Sequence, residues 1–168
     1  LGALKISQLL DDKILEMPKS LSISDDLIKI KSNQILNNSN NAFLAREEFM
    51  HIIDSGESSC LALSLLLQEK KIDNIIVIDE RTTRMLGENP ENLRKLFEKK
   101  LHTKVQMKAD FSAFKDVKFI RSSELAYLAY KKGLVHLKNG NVLDALLYAT
   151  KFKGASISGQ EIEEMKRL

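Results

Sequence analysis

Ile75-Ile76-Val77-Ile78 is a run of four β-branched residues, and Asp79 follows it directly. β-Branched side chains are stiff at χ1 and favour extended backbone. Unbroken apolarity, in place of alternation, is the pattern of a central parallel strand covered on both faces. The run therefore predicts a strand over Asn74 to Glu80, with helical patterns before and after it, and hence an α/β architecture. Binding sites in such sheets form just beyond the carboxyl ends of the strands. Asp is a poor strand residue, so Asp79 has two readings: a site carboxylate, or a cap for the next helix. Glu80 is read as a supporting or solvent-facing residue.

The segments around this strand read mostly as helices. Leu1, Leu4, Ile6, Leu9 and Leu10 have helical spacing, and Met17-Pro18 closes that stretch. Ser24 is a plausible N-cap, with Asp25 and Asp26 in the first turn after it. The polar, Asn-rich stretch Ser32 to Asn41 reads as a loop, a helix break or the tip of a helical hairpin. Ala42 to Ile53 reads as a helix with Leu44, Phe49 and Ile52 on one side and Arg46, Glu47 and Glu48 on the other. Ser55-Gly56 reads as a break, and Ser58 to Glu69 as a helix apolar nearly all round, hence buried. A helix starts at Arg81; Asn89-Pro90-Glu91 starts another that ends near Leu101 in basic residues. Val105 to Phe114 is ambiguous. Val117 to Ile120 reads as a short strand, and Ser122-Ser123-Glu124 opens a helix that Gly133 stops. Asn141 caps a helix to about Lys153, with Asp144 read as a capping residue. Ser158-x-x-Glu161 is a capping box for the last helix.

Composition narrows the function classes. The 168 residues fit one domain over 1–168, with no linker or repeat, and 43% hydrophobic residues suffice for a full core. Net charge is +3, and Lys and Arg are dispersed, which permits nucleic acid without pointing to it. Trp is absent and aromatics are 6%, which disfavours single-strand binding on stacked aromatic platforms. One cysteine, Cys60, excludes an internal disulfide and fits a reducing, cytoplasmic setting. Its place in an apolar helix makes it a buried small hydrophobe. No apolar run reaches membrane-spanning length and no signal peptide is evident.

Several chemistries drop out. There is no Gly-rich phosphate loop, and His51, His102 and His136 lack the spacing of a zinc site. The carboxylates carry more. Glu57 opens one helix, Glu124 opens another just after the Val117 to Ile120 strand, and Asp79 ends the central strand. Asp54 lies one turn back from Glu57. Carboxylates that converge on one crevice repel each other unless a cation lies between them, and Mg²⁺ or Mn²⁺ takes such oxygen ligands. The helix dipole alone also accounts for Glu57 and Glu124. Arg81 and Arg84 follow Asp79 at helical spacing, where they would pair with the acids, meet a phosphate or line a solvated face.

The order of these features resembles the PIN-domain family, in its archaeal and bacterial branch. The matching stretches are I-D-S-G-E-S-S-C-L-A-L (Ile53 to Leu63), I-I-V-I-D-E-R-T-T-R (Ile75 to Arg84) and I-R-S-S-E-L-A-Y-L-A-Y-K-K-G-L (Ile120 to Leu134). The opening L-G-A-L-K-I-S-Q-L-L looks like the segment after that family's first strand. The resemblance implies a three-layer α/β/α sandwich with a central, mostly parallel sheet. It implies a Mg²⁺- or Mn²⁺-dependent ribonuclease, either a toxin of a toxin–antitoxin pair or an RNA-processing factor. Glu57 and Asp79 would be the catalytic carboxylates and, with Glu124, the metal ligands; Arg81, Arg84 and Arg121 would contact the RNA phosphates. An antitoxin-like protein partner and a homodimer follow from the same likeness. The family's Asp at the end of the first strand has no counterpart, because no such strand precedes Leu1. The expectation is that this strand and its Asp lie upstream; if they do not, the chain is an inactive RNA- or protein-binding module. Asp25, Asp26, Glu47 and Glu48 are the candidates for the family's further acidic residue.

Overall fold

The computed structural model describes residues 2–135 and 141–167. Leu1 and His136 lie outside the described residues. The chain is mixed α/β, and helices dominate. The main elements in order are helix α1 (Gly2–Asp11), α2 (Asp25–Asn40), strands β1 (Phe43–Ala45) and β2 (Glu48–Phe49), and helix α3 (Ser55–Glu69). Strand β3 (Ile76–Val77), helices α4 (Arg81–Glu88) and α5 (Pro90–Leu101), and strands β4 (Val105–Met107) and β5 (Phe119–Ile120) follow. Helices α6 (Ser122–Lys131), α7 (Val142–Phe152) and α8 (Gly159–Arg167) complete the described chain. The strands fall into two sheets, not one: an antiparallel set ordered β2-β1-β4 and a parallel pair of β3 with β5. Among the described residues no helix is long and apolar enough to cross a membrane.

The structure departs from the sequence expectations in several segments. Ala42 to Ile53 is a hairpin, not a helix: Leu44 faces Phe49, Ala45 faces Glu48, and β4 pairs along the other edge of β1. Arg46 and Glu47 form its two-residue turn, with φ of 51° and 69°, the sign a tight hairpin turn demands. Cross-strand pairing and the burial of Phe43 and Ala45 override the helical leaning of Arg, Glu and Glu. Conversely, the Asn-rich stretch is helical through Asn40. Its small residues face inward: Ser32 and Ser39 are buried, and Ser32 Oγ bonds Ser58 Oγ of α3 at 2.8 Å, which lets α2 and α3 pack closely.

The β-branched strand is covered on one face only. Ile76 is 7% exposed in the core, whereas Ile75 and Val77, pointing the other way, are each 51% exposed. Ile76 and Ile78 donate their amides to Lys118 and Ile120 carbonyls, so the backbone groups of Ile75 and Val77 face the strand's open edge. Cys60 is exposed, not buried, because it lies on the α3 flank away from Leu61 and Ala62. Packing around the sulfur and the neighbouring Glu57 push its thiol pKa up, which keeps it protonated and poorly nucleophilic. Ser55-Gly56 does not break the chain; it forms the first turn of α3.

The expected caps at Ser24, Asn89 and Ser158–Glu161 are made; Asn141 makes no side-chain cap. Ser24 accepts the Leu27 amide and Asn89 that of Asn92, and Ser158 and Glu161 close a reciprocal box at 2.8 and 3.1 Å. The ambiguous Val105 stretch begins with strand β4. Asp144 makes no cap; it pairs with Lys166 at 2.8 Å and ties α7 to α8. Two apolar clusters result. The larger centres on Phe43, whose ring meets Phe97 edge-on at 5.5 Å and Phe111 stacked at 5.8 Å. The smaller joins Leu147 of α7, Ile157 of the α7–α8 connection, and Ile162 and Met165 of α8, with Tyr127 of α6 against it.

Candidate functional site

Glu57, Asp79 and Glu124 each hold the start of a helix, whereas Glu47 and Glu48 lie in the β1–β2 hairpin. Glu57 Oε2 accepts the Asp54 amide at 3.1 Å, so Glu57 closes the first turn of α3 backwards. Asp79 caps a helix, but not the one after it. Its Oδ1 accepts the Ser122 amide at 3.0 Å and its Oδ2 the Ser122 hydroxyl at 2.6 Å, so it caps α6 from across the parallel pair. The parallel register explains this reach: Val77 stands opposite Ile120, so the two strands end side by side. The cap of α4 is instead Glu80, whose two oxygens accept the Thr82 and Thr83 amides at 2.7 and 2.6 Å. Partial burial raises the Glu80 pKa, but the Thr83 and Thr82 donors outweigh it and hold the carboxyl below its ordinary range.

Glu57 and Glu80 meet across one cavity of about 160 Å³, lined also by His51 and Asp54. His51 is oriented from both sides. Its Nε2 lies 2.7 Å from Asp54 Oδ1, and Asn40 Nδ2 lies 3.1 Å from Nδ1. Asn40 Oδ1 accepts the Ile52 and Ile53 amides at 2.7 and 3.0 Å, which fixes which end of the amide carries the nitrogen. Asn40 Nδ2 therefore donates to His51 Nδ1, and in the neutral ring Nε2 carries the proton that Asp54 accepts.

Glu124 does not line this cavity; it pairs with Arg121, whose guanidinium lies 2.8 Å from Glu124 and 2.7 Å from Glu161. Partial burial raises the Glu124 pKa, and the Arg121 amide and guanidinium bring it below its usual value. Arg121 is thus committed to two carboxylates, one of them on α8. Arg84 is half-buried, with its Nε unpartnered, and its charge also acts on Glu124. Arg81 is exposed at the start of α4 and makes no ion pair among the described residues.

The oxygen chemistry of Glu57 and Glu80 suits a hard divalent cation, and Mg²⁺ is commonly held by one or two carboxylates with waters completing its shell. Among the described residues no three metal-binding side chains converge. Glu57 and Glu80 would be the residues to hold such an ion, with waters completing its shell. Glu80, His51 and Asn40 were not legible as site residues. Glu is a poor N-cap type and gave no cap signal, and Asn40 sat in a stretch whose composition reads as loop. Comparison with protein-family models, curated proteins and solved structures finds no match to this chain.

Proposed function

We propose that the chain is a divalent-metal-dependent ribonuclease that hydrolyses RNA phosphodiesters. The observation that carries this reading is the shared cavity of Glu57 and Glu80, set beside the carboxyl end of β3. Glu57 and Glu80 would hold Mg²⁺ or Mn²⁺, with Asp79 adjoining. When bound, such an ion would make a bound water more acidic and neutralise charge on the phosphate. The chain's own residues set the stage for this. Asp54 holds the His51 ring with its proton on Nε2, while Thr82 and Thr83 keep Glu80 ionised. Arg81, exposed at the start of α4, would meet a phosphate oxygen. The proposal carries with it the three-layer, PIN-like frame, of which the parallel β3–β5 pair would be the nucleus, and leaves a toxin or RNA-processing role, an antitoxin-like partner and a homodimer as its corollaries.

A second reading is a non-catalytic PIN-like module that binds RNA or protein. It is favoured by the engagement of both Asp79 oxygens with Ser122 and by the Arg121 clamp on Glu124. Incubation of labelled RNA with Mn²⁺ and wild type, Glu57→Gln or Asp79→Asn separates the two. Cleavage by wild type that both variants lose supports the enzyme. Equal cleavage by all three proteins, or none by any, refutes it.

A further inference from the structure

The cavity of Glu57 and Glu80 is the end of a longer groove. His51 lines it and also two neighbours, of about 270 and 370 Å³. Ile52 joins the first to the second, and Met50 and Leu101 join the second to the third. The three cavities therefore adjoin one another along the segment 50–54, from the carboxylates, past Lys100 of α5, to the β1–β2 hairpin. Charge changes sign along it. The outermost cavity holds Arg46 with Glu48, the middle one Lys100, and the near end Asp54, Glu57 and Glu80. Lys100 is exposed and makes no ion pair among the described residues. Arg46 lines the outermost cavity and spends one N–H on the Leu101 carbonyl at 3.1 Å, which fixes its guanidinium there.

The hairpin end also presents an aromatic ring. Phe49 is 54% exposed on the two-residue strand β2 and lines the outermost cavity. An exposed Phe beside a fixed Arg and an unpaired Lys is the combination that takes a base on its face and phosphates on the cations. The outer cavities approach the size of small-ligand sites, and each suits one nucleotide more nearly than the narrow carboxylate end does.

We propose that single-stranded RNA lies along this groove, with a base stacked on Phe49 and backbone phosphates at Arg46 and Lys100, leading the chain to the Glu57–Glu80 cavity. The placement rests on RNA as the ligand and is independent of whether the chain cleaves it. One stacking residue agrees with an aromatic-poor composition: the site takes a base, not a run of stacked bases.

The test is fluorescence anisotropy of a labelled single-stranded RNA octamer in EDTA, with single-stranded DNA of the same sequence as a second arm. Phe49→Ala is expected to weaken RNA binding about fivefold or more, the scale of one lost base stack. Lys100→Glu is expected to weaken it about tenfold and to lower the salt slope by about one phosphate contact. Lys151→Glu on α7 makes the same charge change outside the groove and should cost less than Lys100→Glu. Circular dichroism confirms folding of each variant, and both groove positions are exposed. No binding by wild type, or equal losses for Lys100→Glu and Lys151→Glu with none for Phe49→Ala, overturns the groove. Tighter binding of the DNA overturns RNA as its ligand. Cleavage is read separately with Mn²⁺. Groove variants that bind poorly while no protein cleaves would leave the groove standing and remove the nuclease; cleavage lost in Glu57→Gln with normal binding by the groove variants would do the reverse.

Discussion

Asn40→Ala tests the foundation of the site. One side chain supports the whole 51–53 turn: Oδ1 accepts two amides at 2.7 and 3.0 Å, and Nδ2 donates to the Ile53 carbonyl at 3.0 Å and to His51 at 3.1 Å. Ile52 and Ile53 are 8% and 3% exposed, so their amides have little access to replacement water. An unsatisfied buried donor costs about 1–3 kcal/mol. With two such donors and partial rescue by solvent near the exposed His51, the expected loss is about 2–4 kcal/mol. In a chain of this size each kcal/mol lowers Tm by about 2–4 °C, so about 3 kcal/mol corresponds to roughly 6–12 °C. Urea unfolding of Asn40→Ala beside Asn38→Ala, an exposed neighbour on the same helix, measures it. The control should stay within about 0.5 kcal/mol of wild type. The same variant should weaken RNA binding, because the turn floors the groove. A loss for Asn40→Ala no larger than that of the control would refute the argument that this turn hangs from one amide.

Gly87 lacks room for a methyl group: a Cβ there would come within 2.6 Å of the Phe119 ring, so Gly87→Ala should cost about 1–3 kcal/mol in thermal melts, and an unchanged Tm would contradict the packing. Glu47 adopts φ 69° in the hairpin turn, and Glu47→Gly should raise stability by about 0.5 kcal/mol by relieving the left-handed strain; a destabilised variant would show that the turn is not strained. Glu161 is held by Arg121 and by Ser158 at a pKa of about 2, below its usual 4.5. A depressed folded-state pKa adds stability that is complete above the unfolded value and drains away as pH falls through 4.5 toward about 2. Denaturant titrations should therefore show a steeper acid loss for wild type than for Glu161→Gln over that window, and parallel curves would refute the Arg121–Glu161 link.

Local rules of helix initiation carried much of the fold. Ser24, Asn89 and the Ser158–Glu161 box stand where their side-chain chemistry places them, because a cap needs a partner only a few residues away. The failures share one cause, which is contact distant in sequence. Ala42 to Ile53 became a hairpin because β4, some sixty residues on, pairs with β1. The Asn-rich stretch stayed helical because Ser32 meets Ser58. The site was half legible. Helix-start acids could be named, but Asp79 capping α6 in place of α4 depends on the parallel register, which no single segment encodes. Glu80 took the vacant cap and with it a place beside Glu57.

The bond from Asp79 to Ser122 joins two parts of the molecule that have separate apolar cores. Its consequence is thermodynamic reciprocity. Any ligand that draws Asp79 away from Ser122 must release the cap of α6, and loosening of the C-terminal helices must, to the same extent, free the carboxylate for that ligand. Amide exchange in α6 is thus a remote gauge of what Asp79 binds, readable without observing the site at all.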